Sequence, residues 1–161
     1  NIGVPKFGWK EIPLSKVADN TNLGITISDQ VGNNITGGYA LNVGNPHLVF
    51  FVNKIENYNL YKIGPTLEVH PMFPEKCNIT LAEIKNENLI KIKVWERGVG
   101  ITKACGTAAC AVAVVAYKKK FTQNIVNIQF ELGKITVTVD KNNSVHMKGK
   151  VSEIKEIEIK I

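Results

Sequence analysis

Cys105 stands at the junction of two unlike stretches. Before it, Glu96-Arg97-Gly98-Val99-Gly100 is broken by glycines; after Gly106-Thr107 an apolar run continues to Tyr117. That pattern places a thiol at the start of a helix. The first N–H groups of a helix lack intrahelical partners and carry a partial positive charge. Such a setting lowers a thiol pKa from about 8.5 towards neutrality and suits the sulfur to taking or giving a proton. Gly106 has no Cβ, so a small molecule can approach the backbone, and Thr107 adds a hydroxyl. An anion formed by proton removal would meet free N–H groups there.

The other two cysteines read as structural. Cys77 precedes Asn78 on a β-rich run and should face away from it. Cys110 lies inside the apolar run, roughly 140° around a helix from Cys105. Three cysteines without framework spacing argue against a disulfide scaffold and for a reducing, cytoplasmic setting. His47, His70 and His146 show no metal-ligand spacing with them, so no metal is expected.

These residues need elements to hold them. Ile35 to Val43 and His47 to Val52 are β-rich, with Gly44-Asn45-Pro46 turning the chain between them. Leu60 to Val69 reads as a short helical segment despite Pro65. Asn78 to Ile84 and Leu89 to Trp95 read as a hairpin about Lys85 to Asn88. In the second strand Ile90, Ile92 and Val94 alternate with Lys91 and Lys93, which gives one buried face. The helix from about Cys105 to Lys119 is apolar nearly all round, so it must be enclosed. Further strands are expected at Ile125 to Phe130, Lys134 to Val139, Val145 to Lys148 and Ile154 to Ile161. Residues 1–20 read as irregular, with Phe7 and Trp9 docking on a core. One buried helix among many strands predicts an α+β fold, a curled, mostly antiparallel, barrel-like sheet wrapped around one central apolar helix.

The chain has 161 residues, 44% of them hydrophobic, which fits one domain spanning 1–161. No apolar run is long enough to cross a bilayer as a helix. The formal charge of +6 includes Lys118, Lys119 and Lys120. They follow the apolar helix, where cations suit the C-terminal dipole, and no aromatic residues interleave with them. Neither a nucleic-acid partner nor a membrane is expected.

Four motifs together resemble a known family. Gly44-Asn45-Pro46-His47, Cys77-Asn78 after Pro74, Trp95-Glu96-Arg97-Gly98 with Gly100, and Ala104-Cys105-Gly106-Thr107 follow the order and spacing of diaminopimelate epimerase. The opening segment from Gly3 to Trp9 is similar too. The resemblance implies a pyridoxal phosphate-independent isomerase with no cofactor. It would interconvert LL- and meso-diaminopimelate, serving lysine and peptidoglycan precursor biosynthesis. Two cysteines, one from each of two similar domains, would flank the substrate. Carried over residue by residue, Cys105 is one catalytic base. Asn45, Asn78, Glu96, Arg97, Gly106 and Thr107 bind substrate, and His47 supports the reacting centre, orienting the substrate carboxylate. Glu96 and Arg97 would hold the ammonium and carboxylate, a task that suits the planar guanidinium fork.

The chain also departs from the family. Ile101 stands where the family usually has Glu, and Ala108 where it usually has Gly. Nothing matches the Cys-Gly-Asn-Gly segment that carries the family's other thiol. With Asn1 rather than Met at its start, the chain is expected to be the C-terminal half, unable to epimerise alone. The strand at about 154–161 would then belong to the absent N-terminal domain. An apolar surface should face that domain, and self-association, such as a homodimer, would be a natural consequence. Two alternatives remain: a proline racemase-like isomerase of the same architecture, and a non-catalytic ligand-binding module.

Overall fold

The computed structural model describes residues 1–151. The expected strand at 154–161 lies outside them. Among the described residues, ten strands and two α-helices follow in chain order. The strands are β1 (Ile25–Ser28), β2 (Asn34–Gly37), β3 (Tyr39–Asn42), β4 (Pro46–Phe51), β5 (Asn78–Asn86), β6 (Leu89–Glu96), β7 (Gly100–Thr102), β8 (Ile125–Gln129), β9 (Lys134–Val139) and β10 (Val145–Lys148). Helix α1 spans Leu60–Glu68 and α2 spans Gly106–Lys118. Eight strands form one sheet in the order β10-β9-β8-β6-β5-β4-β3, with β7 paired to β6. Most pairings are antiparallel, but β4 with β5 and β6 with β8 are parallel. Strands β1 and β2 form a separate two-stranded sheet.

Helix α2 is the centre of the first core. Its residues Ala108 to Ala116 are all buried. Ile90, Ile92, Val94, Val126, Ile128, Val137 and Val139 pack on it from the sheet. Small Ala and Val side chains let the helix be enclosed on every side, and each buried CH₂ contributes about 0.8 kcal/mol. This is the α+β roll around an apolar helix that the sequence predicts. Past Lys118 the lysines are put to use. Lys118 Nζ lies 4.4 Å from the Phe7 ring centroid and Lys119 Nζ 4.9 Å from that of Tyr39. Such cation–π contacts suit the basic end of a helix.

The sheet has a second covered face. Ile79, Leu81, Leu48 and Phe50 point away from α2 and pack with Leu60, Leu67, Ile12, Ile25 and Ile27. Helix α1, the β1–β2 hairpin and the opening segment form this layer, and Trp9 packs at its edge. The sequence reading gives only one core. It also treats Ile35 to Val43 as one run, whereas the structure divides it at Gly38. That residue has φ +91°, and a Cβ there would meet Leu48 Cδ1 at 2.9 Å. The chain bends at this close approach and passes from the small sheet into the large one.

Candidate active site

Strand register brings three polar residues to one level. His47 on β4 is the register partner of Asn78 on β5. Ile79 pairs with Trp95 across β5 and β6, so Asn78 and Glu96 share the next level. Side chains alternate along a strand. Ile79 and Leu81 belong to the α1 side and Ala82 to the α2 side. Asn78, His47 and Glu96 therefore face α2, while Cys77 turns into the opposite core. Glu96 in turn pairs with Gly100 on β7, and the chain then runs from β7 to Cys105.

Cys105 is the N-cap of α2, with extended φ −149° and ψ 110°. Its carbonyl accepts the Ala109 N–H at 3.1 Å, which starts the helix ladder. Its sulfur lies 3.5 Å from Thr107 Oγ1. The same hydroxyl accepts from Asn45 Nδ2 at 3.5 Å. Asn45 does not cap its own turn; that task falls to Asn42, whose Oδ1 accepts the Gly44 N–H at 2.7 Å. Gly44 has φ +111°, which needs glycine. The freed Asn45 amide spans from Thr107 to His47.

The thiol environment differs from the sequence expectation. Burial is the largest influence on Cys105 and pushes its pKa above the ordinary value. The Thr107 hydroxyl and the Ala108 N–H pull it back down, and the nearby Glu96 carboxylate raises it again. Cys105 is only 8% exposed, so desolvation outweighs the helix start. In this structure Cys105 is held as a thiol. Cys77 and Cys110 are fully buried. Burial raises both, Cys110 to about 11.

His47 is also fully buried, and burial with the neighbouring Arg97 charge lowers its pKa to about 3. The ring is neutral. Its Nε2 lies 2.8 Å from Asn45 Oδ1, an acceptor, so Nε2 carries the proton. Nδ1 has no partner. Among the described residues the ring's side-chain hydrogen bond is to Asn45.

Asn78 ties two segments together. Its Nδ2 donates to Pro46 O at 2.9 Å and its Oδ1 accepts the Arg97 N–H at 3.0 Å. Both ends of the amide are occupied inside the protein. Arg97 is exposed, and its Nη1 donates to Glu75 O at 2.9 Å, the one hydrogen bond of its side chain among the described residues. Gly106 and Thr107 are half-buried at the helix start. Ile101 pairs with Trp95 and packs in the α1-side core. Its apolar side chain thus stands on the face away from Cys105. Ala108 is fully buried in α2. Glu68, at the end of a helix that Pro65 interrupts, belongs to no motif that the sequence could have marked. Among the described residues no group of three or more His, Cys, Asp or Glu is arranged to hold a metal.

The fold is shared with a predicted epimerase from Pseudomonas aeruginosa: TM-score 0.53 at 17% identity, covering 92% of this chain and 53% of that one. A family model for diaminopimelate epimerase matches residues 39–154. A diaminopimelate epimerase from Pelagibacter ubique is 56% identical over 160 residues, which is 99% of this chain and 58% of the relative. One from Erythrobacter litoralis is 38% identical over 153 residues, 95% of this chain and 55% of the relative. The chain belongs to the diaminopimelate epimerase family. It spans about half the length of the curated relatives it matches.

Proposed function

We propose that this chain is the C-terminal half of a two-cysteine, cofactor-independent diaminopimelate epimerase that acts in a reducing cytoplasm. The observation that carries the reading is the meeting of Cys105, Thr107, Asn45 and Glu96 at the start of α2, within a chain of that family. Diaminopimelate is the substrate. Glu96 holds its ammonium group and Arg97 its carboxylate, while Asn45 and Asn78 fix the walls of the site. Gly106 and Thr107 let the reacting carbon come close to the helix start.

Inversion needs one base on each face of the α-carbon. On one face a thiolate takes the α-hydrogen as a proton, and the electron pair of that bond stays on carbon beside the carboxylate. The free N–H groups at the start of α2 favour the added negative charge. On the other face a thiol gives its proton to carbon and becomes a thiolate. Cys105, held up in pKa by burial, suits the donor role in one direction and the acceptor role in the reverse direction. Cys77 and Cys110 are fully buried away from solvent, so neither can be the opposite base. The second thiol belongs to another domain. Met147 beside Gly106 and Val99 beside Glu96 are exposed, and such a domain would cover them.

The test is solvent deuterium uptake at the α-carbon of LL-diaminopimelate, read by mass spectrometry. The chain joined to the remainder of the Pelagibacter ubique relative is expected to exchange and epimerise. The chain alone is expected to do neither, and Cys105→Ser in the joined protein should abolish both. Turnover by the chain alone at the joined protein's rate would overturn the two-half reading.

A further inference from the structure

Glu68 is placed where a carboxylate gains little for stability. It is the last residue of α1, at the negative end of the helix dipole, and only 8% exposed. Yet it is fully engaged. Its Oε2 accepts the Trp95 indole N–H at 2.7 Å, and its Oε1 accepts the Gly98 N–H at 3.1 Å. Lys76 Nζ lies 3.6 Å from Oε1. Its backbone carbonyl also accepts the Cys77 N–H at 3.2 Å, next to Asn78. Between Trp95 and Gly98 lie only Glu96 and Arg97.

A second observation concerns Gly64, one turn earlier on the same helix face. A Cβ at Gly64 would sit 2.5 Å from Trp95 Cδ2. The helix therefore presses its backbone on the indole while Glu68 grips both ends of the turn. The opposite side of the turn is held by Asn78 Oδ1 on the Arg97 N–H. The geometry points to Glu68 as a positioning residue, which clamps the Trp95–Gly98 turn and so fixes where Glu96 and Arg97 stand relative to Cys105. A buried carboxylate with two N–H donors and an ammonium holds a turn more firmly than neutral bonds would. Glu68 touches no substrate; it acts through the turn.

The kinetic part of the test rests on the epimerase reading, so a second part is independent of it. In the joined two-part protein, Glu68→Gln should raise KM for diaminopimelate at least fivefold, with a smaller change in kcat. Glu83→Gln serves as the control. Glu83 is likewise buried, bonded to the Ile55 N–H at 3.1 Å and to Lys85, but lies towards the far end of β5. It should change the melting temperature and leave KM alone. In this chain, Glu68→Gln should also speed amide exchange at Gly98 at least tenfold and shift the Trp95 indole N–H resonance, with Trp9 unmoved. An unchanged KM in an active joined protein would overturn the proposal, and so would unchanged Gly98 exchange. A joined protein that is inactive in its unmutated form would count against the epimerase reading alone; the exchange result would still decide on the clamp.

Discussion

The His47 imidazole, sealed from solvent, meets the Asn45 side chain with Nε2 2.8 Å from Oδ1. The bond fixes which way the Asn45 amide points and leaves its Nδ2 towards Thr107. Burial and the neighbouring Arg97 charge keep the ring neutral. The folded pKa is about 3 against an ordinary 6.5. An unfolded chain therefore binds a proton that the folded chain refuses. The neutral ring contributes full stability above about pH 6.5 and loses it progressively as pH falls towards about 3. The melting temperature should drop between pH 7 and pH 5, and His47→Gln should flatten that drop. An equal slope in both proteins would show that His47 is not the group responsible.

Cys105 should be the first cysteine to react but a slow one. Iodoacetamide labelling followed by mass spectrometry is expected to modify Cys105 before Cys77 or Cys110 under native conditions, since those two are fully buried. The pH midpoint should lie above that of a free thiol. Thr107→Val removes the hydroxyl that lowers the pKa and should push the midpoint higher still. A midpoint below that of free cysteine would reverse this account.

Asn78 uses both ends of its amide, so its loss leaves the Arg97 N–H and the Pro46 carbonyl without their partner. Asn78→Ala should destabilise by about 2–4 kcal/mol in urea denaturation. Asn78→Asp sets a carboxylate against that carbonyl in a buried place, which raises its folded pKa above the unfolded value. The variant should therefore regain stability as pH falls towards that raised value. A variant that weakened further over that range, relative to the unmutated chain, would contradict the buried placement.

Two glycines should respond oppositely to alanine. At Gly64 the added Cβ meets the rigid Trp95 ring at 2.5 Å, and overpacking of this kind costs about 1–3 kcal/mol. At Gly106 it meets Met147 Sδ at 2.9 Å, the mobile end of a half-exposed side chain. There the gain in helix propensity, up to about 1 kcal/mol, can offset the shift of the sulfur. Thermal melts should show Gly64→Ala falling and Gly106→Ala within a few degrees of the parent. Equal losses would mean that Met147 cannot move aside.

Much of the first core was readable in the chain. The alternation of Ile90, Ile92 and Val94 marks one face of β6, and the unbroken apolar stretch marks α2 as enclosed. The second core was not. Strands β1 and β2 are four residues each and half polar, so they carry little periodic signal. Pro65 inside α1 obscures a helix whose inner face is Leu60, Gly64, Leu67 and Glu68. The division at Gly38 depends on contact with Leu48 and Phe50, which no local pattern encodes. At the site, the motifs pointed to Cys105, Asn45, Asn78 and the Glu96–Arg97 pair. They could not show that His47 is sealed from solvent, nor that burial outweighs the helix start at Cys105, because both depend on what the rest of the chain packs around them.

The shared level of His47, Asn78 and Glu96 has an evolutionary corollary. Each is supplied by a different strand, and the connections between those strands lie outside the level itself. Insertions in the β5–β6 turn at residues 87–88, at the far end of that hairpin, can change its length without moving the trio. A single residue inserted or deleted within β5 is another matter. It would exchange the faces of the strand, sending Asn78 into the α1-side core and bringing Cys77 or Ile79 to the site. Lineages of this protein should therefore vary freely in loop length while keeping the spacing within β4, β5 and β6 fixed to the residue.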